Sequence, residues 1–345
     1  FGSSLKIFPS TDHATTTWNS PVDKLPSYVG TREAVFIQNV FPLLYKDARE
    51  ANSWNMNETL GNLLKYQRKN AGTSLPTDTQ VRAERMYNAF PFATVLFMLN
   101  LTMGLLSLMV TIYRLNSSMG SRKKQSGKPA LLKRTVSGPW WNRSALAVML
   151  LSFASLTLCE ALRWIIRGKV PMGNGYETML FVAWLVMLLS LVAYRRFHII
   201  LTFAFLMSGF FLLVSHINLM DPEISHLMPV LNSPLLSIHV SIIMMGFAML
   251  SITFICGVTA LLSDFLSGFG GRSDRSVIDG QMDGLRLLSL LFLYPALAML
   301  GIGIFVGAIW ANVSWGTYWS WDAKETWALI TFMLYAIAVH SASLP

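Results

Sequence analysis

Charge is scarce in this chain, and cysteine is nearly absent. Only 13% of the 345 residues are charged, against roughly 25% in an ordinary soluble domain, which excludes a protein covered by a solvated surface. The two cysteines, Cys159 and Cys256, lie in apolar runs and form neither a CxxC pair nor a CxxCH motif. Thiol–disulfide exchange and covalent haem attachment to this chain are therefore excluded, and both read as packing residues. No repeat of roughly 20–50 residues occurs, which excludes solenoids and propellers. No basic segment interleaved with aromatics is present, so a net charge of +9 does not point to nucleic acid. The N-terminus also lacks the pattern of a signal peptide. With Phe1 first and Pro345 just past an apolar run, the sequence reads as a piece of a longer protein.

Apolar residues are what the chain has in abundance: 53% of it. Runs near the roughly 20 residues needed to cross a bilayer recur at about 90–114, 144–165, 177–195, 198–216, 235–263, 286–310 and 325–342. A soluble core has no use for so many. The fold class expected is all-α, a polytopic integral membrane protein with about seven transmembrane helices and a small extracytoplasmic N-terminal segment. Segment 114–143 holds eight Lys/Arg and no acid, and Arg195, Arg196, Arg272, Arg275 and Arg286 fall on the same side. Arg163, Arg167, Lys169 and Lys324 fall on the other. By the positive-inside rule the richer side is cytoplasmic. Arg122–Lys124 reads as a solvated run, with anionic lipid as an alternative contact. Residues 1–89, mixed in charge and with 43–70 as the best helix, then lie outside with loops 163–177, 217–234 and 311–325.

The last of these loops leads into "WGTYWSWDAKETW", residues 315–327. Taken as helix, Trp315, Tyr318, Trp319 and Asp322 share one face. An interfacial aromatic belt accounts for one or two such residues but not for this concentration around an acid. A flat, polarizable ligand matches it better, since such ligands take an apolar slab with a few polar groups at its rim. Two histidines in apolar helices add a second signal. His239 follows Ser233 and Pro234, a helix start, and lies about 8 Å into its helix. His340 lies about 24 Å beyond Lys324. Packing explains many lone histidines, but intramembrane ionisable groups are also functional candidates, and imidazole is a common axial ligand of haem iron. If both bind iron, their vertical gap implies two separate stations. "GIGIFVG" (301–307) mimics a dinucleotide fingerprint, but it sits inside an apolar helix and reads as close packing by small residues.

"WANVSWGTYWSWDAKETWALITFMLYAIAVH" resembles the tryptophan-rich WWD signature of haem-handling proteins. More narrowly, it is similar to the System II cytochrome c synthases of the CcsA or ResC type, often fused to CcsB. "RWIIRGKVPMGNGYETMLFVAW" and "MDPEISHLMPVLNSPLLSIHVSI" are similar to other segments of that family, and "AERMYNAFPF" resembles its CcsB–CcsA junction. The resemblance covers about residues 80–345. It implies that residues 1–89 end a CcsB-like portion and that 90–345 form a CcsA-like haem-handling core in the bacterial inner membrane, with the WWD site facing the periplasm. It implies cytochrome c synthase (holocytochrome c haem lyase) activity in the full-length protein: haem b, substrate and bound ligand, is exported and joined by thioether bonds to CxxCH thiols of apocytochrome c. The implied partners are that apocytochrome, the CcsB-like portion and thiol-reduction proteins.

By the same resemblance Trp315, Trp319, Trp321 and Asp322, with Tyr318, form the haem platform. His239 is an axial ligand of the outer haem iron, and His340 a ligand of a transmembrane haem. Arg163 is expected to pair with Glu160 or to hold a haem propionate, Asp322 to orient Lys324 or an indole, and Glu177 to serve as a helix N-terminal acid. His216 and His226 border the site, His198 is interfacial and His13 exposed. Ala323 stands where the family has proline and Val313 where it often has glutamate. The second external histidine would lie past Pro345 and the other transmembrane one before Phe1. The alternatives are System I haem transfer to a chaperone, a transporter without haem ligation, and a membrane scaffold.

Overall fold

A computed structural model describes residues 5–12, 15–72, 75–120, 139–195, 197–217, 222–224, 233–269 and 275–340. His13, His226, Arg122–Lys124 and Arg196 lie outside the described residues. The chain divides into two compact units, Phe1–Val81 and Arg82–Pro345.

In the first unit, a hairpin of β1 (Phe8–Asp12) and β2 (Thr15–Asn19) pairs antiparallel with Phe8 opposite Asn19. It joins α1 (Thr31–Arg49) and α2 (Ser53–Asn70) around a core of Phe8, Ile37, Val40 and Leu63. The Tyr66 hydroxyl donates to the Pro9 carbonyl at 3.0 Å, and Gln67 donates to that of Ile7 at 2.9 Å. Residues 43–70 are two helices rather than the single one expected. The break falls at Ala51, whose φ of 51° is left-handed, and Asn52 caps α2 by accepting the Asn55 N–H at 3.2 Å.

Among the described residues the elements of the second unit are all helices: α3 (Asp78–Ala89, which begins before it), α4 (Phe92–Gly120), α5 (Pro139–Arg167), α6 (Gly175–Ala193), α7 (Ile200–His216), α8 (Pro234–Phe269), α9 (Arg275–Trp315) and α10 (Ala323–Val339). Segments of five, Phe92–Thr111, Trp140–Arg167, Gly175–Ala193, Pro234–Phe265 and Met282–Trp315, are long and apolar enough to cross a membrane. This is a predominantly helical, multi-pass membrane protein, and the β1–β2 hairpin of the first unit departs from the all-α class expected. The other two expected spans coincide with α7 and α10, each of 17 residues. At 1.5 Å per residue that is about 25 Å, short of a hydrocarbon core of about 30 Å.

Glycine lets two helix pairs close tightly. A Cβ at Gly209 of α7 would lie 2.8 Å from the Leu101 backbone nitrogen of α4, and one at Gly104 would lie 2.9 Å from that of Leu206. On the α8–α9 seam, Gly246 meets Leu300, Gly303 meets Ile243, and Gly307 meets His239. Without water to squeeze out, membrane helices gain from such close van der Waals approach. Polar groups inside the bundle find each other too: Ser152 of α5 donates to Asn100 Oδ1 of α4 at 2.9 Å.

Candidate functional site

The tryptophan stretch is a turn, and the expected single helical face does not form. α9 stops at Trp315, where Gly316 takes a φ of +79° and its N–H closes on the Asn312 carbonyl at 2.9 Å. Glycine reaches that left-handed conformation without steric cost, so it is a natural helix end. The cap of the next helix stands six residues after Gly316. Asp322 is its N-cap, accepting the Glu325 N–H at 2.7 Å, and Glu325 reaches back to accept the Ser320 N–H at 2.8 Å. This is a variant of the capping box. Asp322 therefore caps α10; orientation of Lys324 or an indole is not what the structure shows for it. Trp321 sits at φ +59°, a region that costs a non-glycine residue of order 1–3 kcal/mol.

The indoles are set edge to face in two pairs. Trp310 and Trp315 lie 4.7 Å apart at 71°, and Trp319 and Trp321 lie 5.7 Å apart at 84°. Trp310 is buried, while Trp315, Tyr318 and Trp321 are more than half exposed. The Nε1–H groups of Trp310 and Trp319 are buried with no hydrogen-bond partner among the described residues. The turn thus presents open aromatic faces. Trp310 was not singled out from the sequence; nothing in its spacing marks it as the ring behind Trp315.

His239 is half-buried on α8, and its imidazole lies against α9. Nδ1 is 2.8 Å from the Gly303 carbonyl oxygen, an acceptor only, so Nδ1 carries the proton and donates. Nε2 is left with a free lone pair, the arrangement in which histidines bind metals. Gly307 makes room for the ring, since a Cβ there would lie 2.5 Å from Cε1. Gly307 is eight residues before Trp315, which puts His239 about 12 Å below the end of α9.

His340 is exposed and forms the C-cap of α10. Phe332 of α10 packs at Gly301 of α9. Eight further residues carry His340 about 12 Å beyond that level, so the two histidines stand at different depths, roughly 18 Å apart along the bundle.

Arg163 is engaged elsewhere than expected. Its side chain is fully buried and donates to the Tyr87 hydroxyl at 2.7 Å, the Pro222 carbonyl at 3.0 Å and Glu177 Oε1 at 2.9 Å. The guanidinium also lies over the rings of Tyr87 and Tyr176. Glu177 accepts further from Arg167 and from the Gly173 N–H at 2.6 Å. The expected partner was Glu160, one turn back on the same helix. Both Glu160 carboxyl oxygens are instead buried with no hydrogen-bond partner among the described residues. Glu177 is thus more than a helix-start acid: it holds two guanidiniums. His216 packs on Phe97 with Nδ1 3.3 Å from Thr94 Oγ1, and His198 packs on Tyr194.

Residues 172–344, which contain this turn together with His239 and His340, match the cytochrome C assembly protein family. NrfI of Wolinella succinogenes is 31% identical over 98% of the chain. CcsA of Prochlorococcus marinus strain MIT 9303 is 32% identical over 67% of the chain and 85% of that protein. The chain belongs to the cytochrome c assembly family, CcsA type. CcsA of Guillardia theta, 31% identical over 56% of the chain and 70% of its own length, is a further relative. The chain spans about a third of NrfI, 35% of its length. This family member is accordingly a multi-pass protein of System II cytochrome c biogenesis.

Proposed function

We propose that the chain is the haem-handling core of a cytochrome c synthase. In the full-length protein it passes haem b outward through the bundle and presents it beneath the 315–322 turn to the CxxCH thiols of an apocytochrome c. The observation that carries this reading is His239. Its Nδ1–H is held by the Gly303 carbonyl, which leaves Nε2 to face an iron atom, about 12 Å of helix below a turn of exposed indoles. That depth is comparable with the width of a porphyrin. Haem supplies the vinyl groups; each thioether forms when a thiol adds sulfur to one vinyl carbon and hydrogen to the other, with no net redox change.

The chain's own contribution is placement. Trp315, Tyr318, Trp319 and Trp321 offer an apolar slab, with Asp322 fixing the path of the turn. His239 sets the depth and tilt of the bound group, so that reactants meet in one orientation and the reaction becomes effectively intramolecular. His340, at the far end of α10 from the turn, serves a second haem on the way out. The platform faces the periplasm and the basic segments face the cytoplasm, with α7 and α10 completing seven spans. Residues 1–89 belong to the CcsB-like portion, and thiol-reduction proteins keep the substrate cysteines reduced.

The test is the visible spectrum of the purified full-length protein, oxidised and reduced, alongside the yield of holocytochrome c in cells that carry it. A six-coordinate, low-spin haem and covalent attachment are expected. Colourless protein in cells that make haem normally refutes haem ligation and leaves a transporter of another kind.

A further inference from the structure

The glycines that mimic a dinucleotide fingerprint do more than let two helices approach. Gly303 and Gly307 stand on one face of α9, four residues apart, and both meet His239 of α8. One supplies the carbonyl that accepts from Nδ1 at 2.8 Å. The other supplies a missing side chain, because a Cβ at Gly307 would stand 2.5 Å from Cε1, 2.8 Å from Nδ1 and 3.2 Å from Nε2. A methyl group at such distances from three ring atoms forces the imidazole out of this position.

We propose that Gly303 and Gly307 are positioning residues for His239, which set its tautomer and ring orientation through the backbone of α9 and so make Nε2 the coordinating atom. This rests on the reading of His239 as a haem ligand for its functional meaning, though the tautomer and the steric contact stand on geometry alone.

The chemistry of the acceptor adds a specific expectation. In many metal sites the outer nitrogen of a ligand histidine donates to a carboxylate, which raises the ligand's basicity. Here the acceptor is a neutral carbonyl already engaged in the helix. The imidazole stays a neutral, moderately basic ligand, suited to a site that must release its haem with the product. No side-chain substitution on α9 can delete that acceptor, so the accessible perturbation is the space at Gly307.

The haem-free full-length protein, labelled with isotopic histidine, gives the first test. The His239 imidazole, assigned by its loss in His239→Gly, is expected to show Nδ1 protonated and Nε2 bare, the tautomer that free imidazole side chains disfavour in water. An Nε2-protonated ring overturns the proposal. The second test compares Gly307→Ala with Gly246→Ala, which crowds the same α8–α9 seam at Leu300, 3.1 Å away, without touching the histidine. Gly307→Ala is expected to abolish the Nδ1–H signature and to weaken haem retention by about 10- to 100-fold, the usual effect of losing a ligand's supporting partner. Gly246→Ala is expected to keep both.

Equal losses in the two variants, or none in Gly307→Ala, overturn it. The double variant His239→Gly/Gly307→Ala guards against misfolding: with the ring gone the methyl has room, so it should match His239→Gly alone, and a further loss counts against the proposal. If His239→Gly itself retains haem as wild type while the tautomer and Gly307→Ala signatures appear as described, the ligand reading fails and the positioning geometry survives.

Discussion

Replacing Glu177 by glutamine is the sharpest probe of the charge cluster at the mouths of α5 and α6. The carboxylate is 1% exposed, and it faces Arg163 at 0% and Arg167 at 9%. It accepts three hydrogen bonds, from both guanidiniums and the Gly173 N–H. Glutamine fills the same space but offers one acceptor oxygen and a donor NH2. Turned one way, the NH2 points at Arg163; turned the other, it points at Arg167 and Gly173. Either way a donor faces a donor, and two buried cations lose their counter-charge. Breaking a buried pair from one side costs roughly 3–5 kcal/mol, or roughly 100- to 4,000-fold in the ratio of folded to unfolded protein at 1.4 kcal/mol per tenfold. Reversible denaturation of wild type and Glu177→Gln in mixed micelles measures it directly. Glu177→Gln/Arg167→Met, which removes one stranded cation, should recover part of the loss. A single-variant effect below about 1 kcal/mol, the scale of exposed pairs, would refute the claim that this network is buried and mutually dependent.

The two histidines should fail differently in the full-length protein. His239→Gly is expected to spare haem loading and block attachment, with added imidazole restoring much of it because that site opens to water; His340→Gly should leave little haem at either depth and respond less. Normal holocytochrome yield from His239→Gly without imidazole would remove it as an axial ligand. At the turn, Trp319→Ala should lower haem content in folded protein, while Asp322→Ala should cost about 1 kcal/mol of α10 stability through the lost cap and lower haem content by disordering the turn. Asp322→Asn, still a good cap, should behave nearly as wild type, and an Asn variant as poor as Ala points to a charge role instead. Cysteine labels at Ser126 and Asn232, both outside the described residues, should react only from the cytoplasm and only from outside, respectively; the opposite pattern inverts the bundle and exchanges the leaflets of His239 and His340.

The helices of the second unit were legible because a bilayer leaves little choice: an apolar run of span length must satisfy its backbone internally. Elsewhere local chemistry overrides periodicity. The 3.6-residue spacing of Trp315, Tyr318, Trp319 and Asp322 suggests one helix, yet Gly316 and the Asp322/Glu325 pair are stop and start signals within the same stretch. Asn52 is the corresponding start signal between α1 and α2. In sequence the nearest acid to Arg163 is Glu160, three residues back on the same helix. Its actual partner, fourteen residues on, lies past a loop whose path no periodicity encodes. Gly303 and Gly307 were recognised as packing glycines, but which side chain they admit is decided by the register between α8 and α9, and that register is a property of two sequences at once.

The 316–322 turn is pinned at both ends, by left-handed Gly316 and by left-handed Trp321 beside the Asp322 cap. Thr317, Tyr318, Trp319 and Ser320 form the insert between them, with Trp319 packed edge to face on Trp321 and the Ser320 N–H donating to Glu325. Substituting within the insert should alter what the platform recognises while leaving α9 and α10 where they are. Substituting an anchor should alter the trajectory of the loop for any sequence placed inside it. Trp321 belongs to both sets, an anchor by its backbone and a platform ring by its edge-to-face contact with Trp319, so geometry and recognition meet at that one residue.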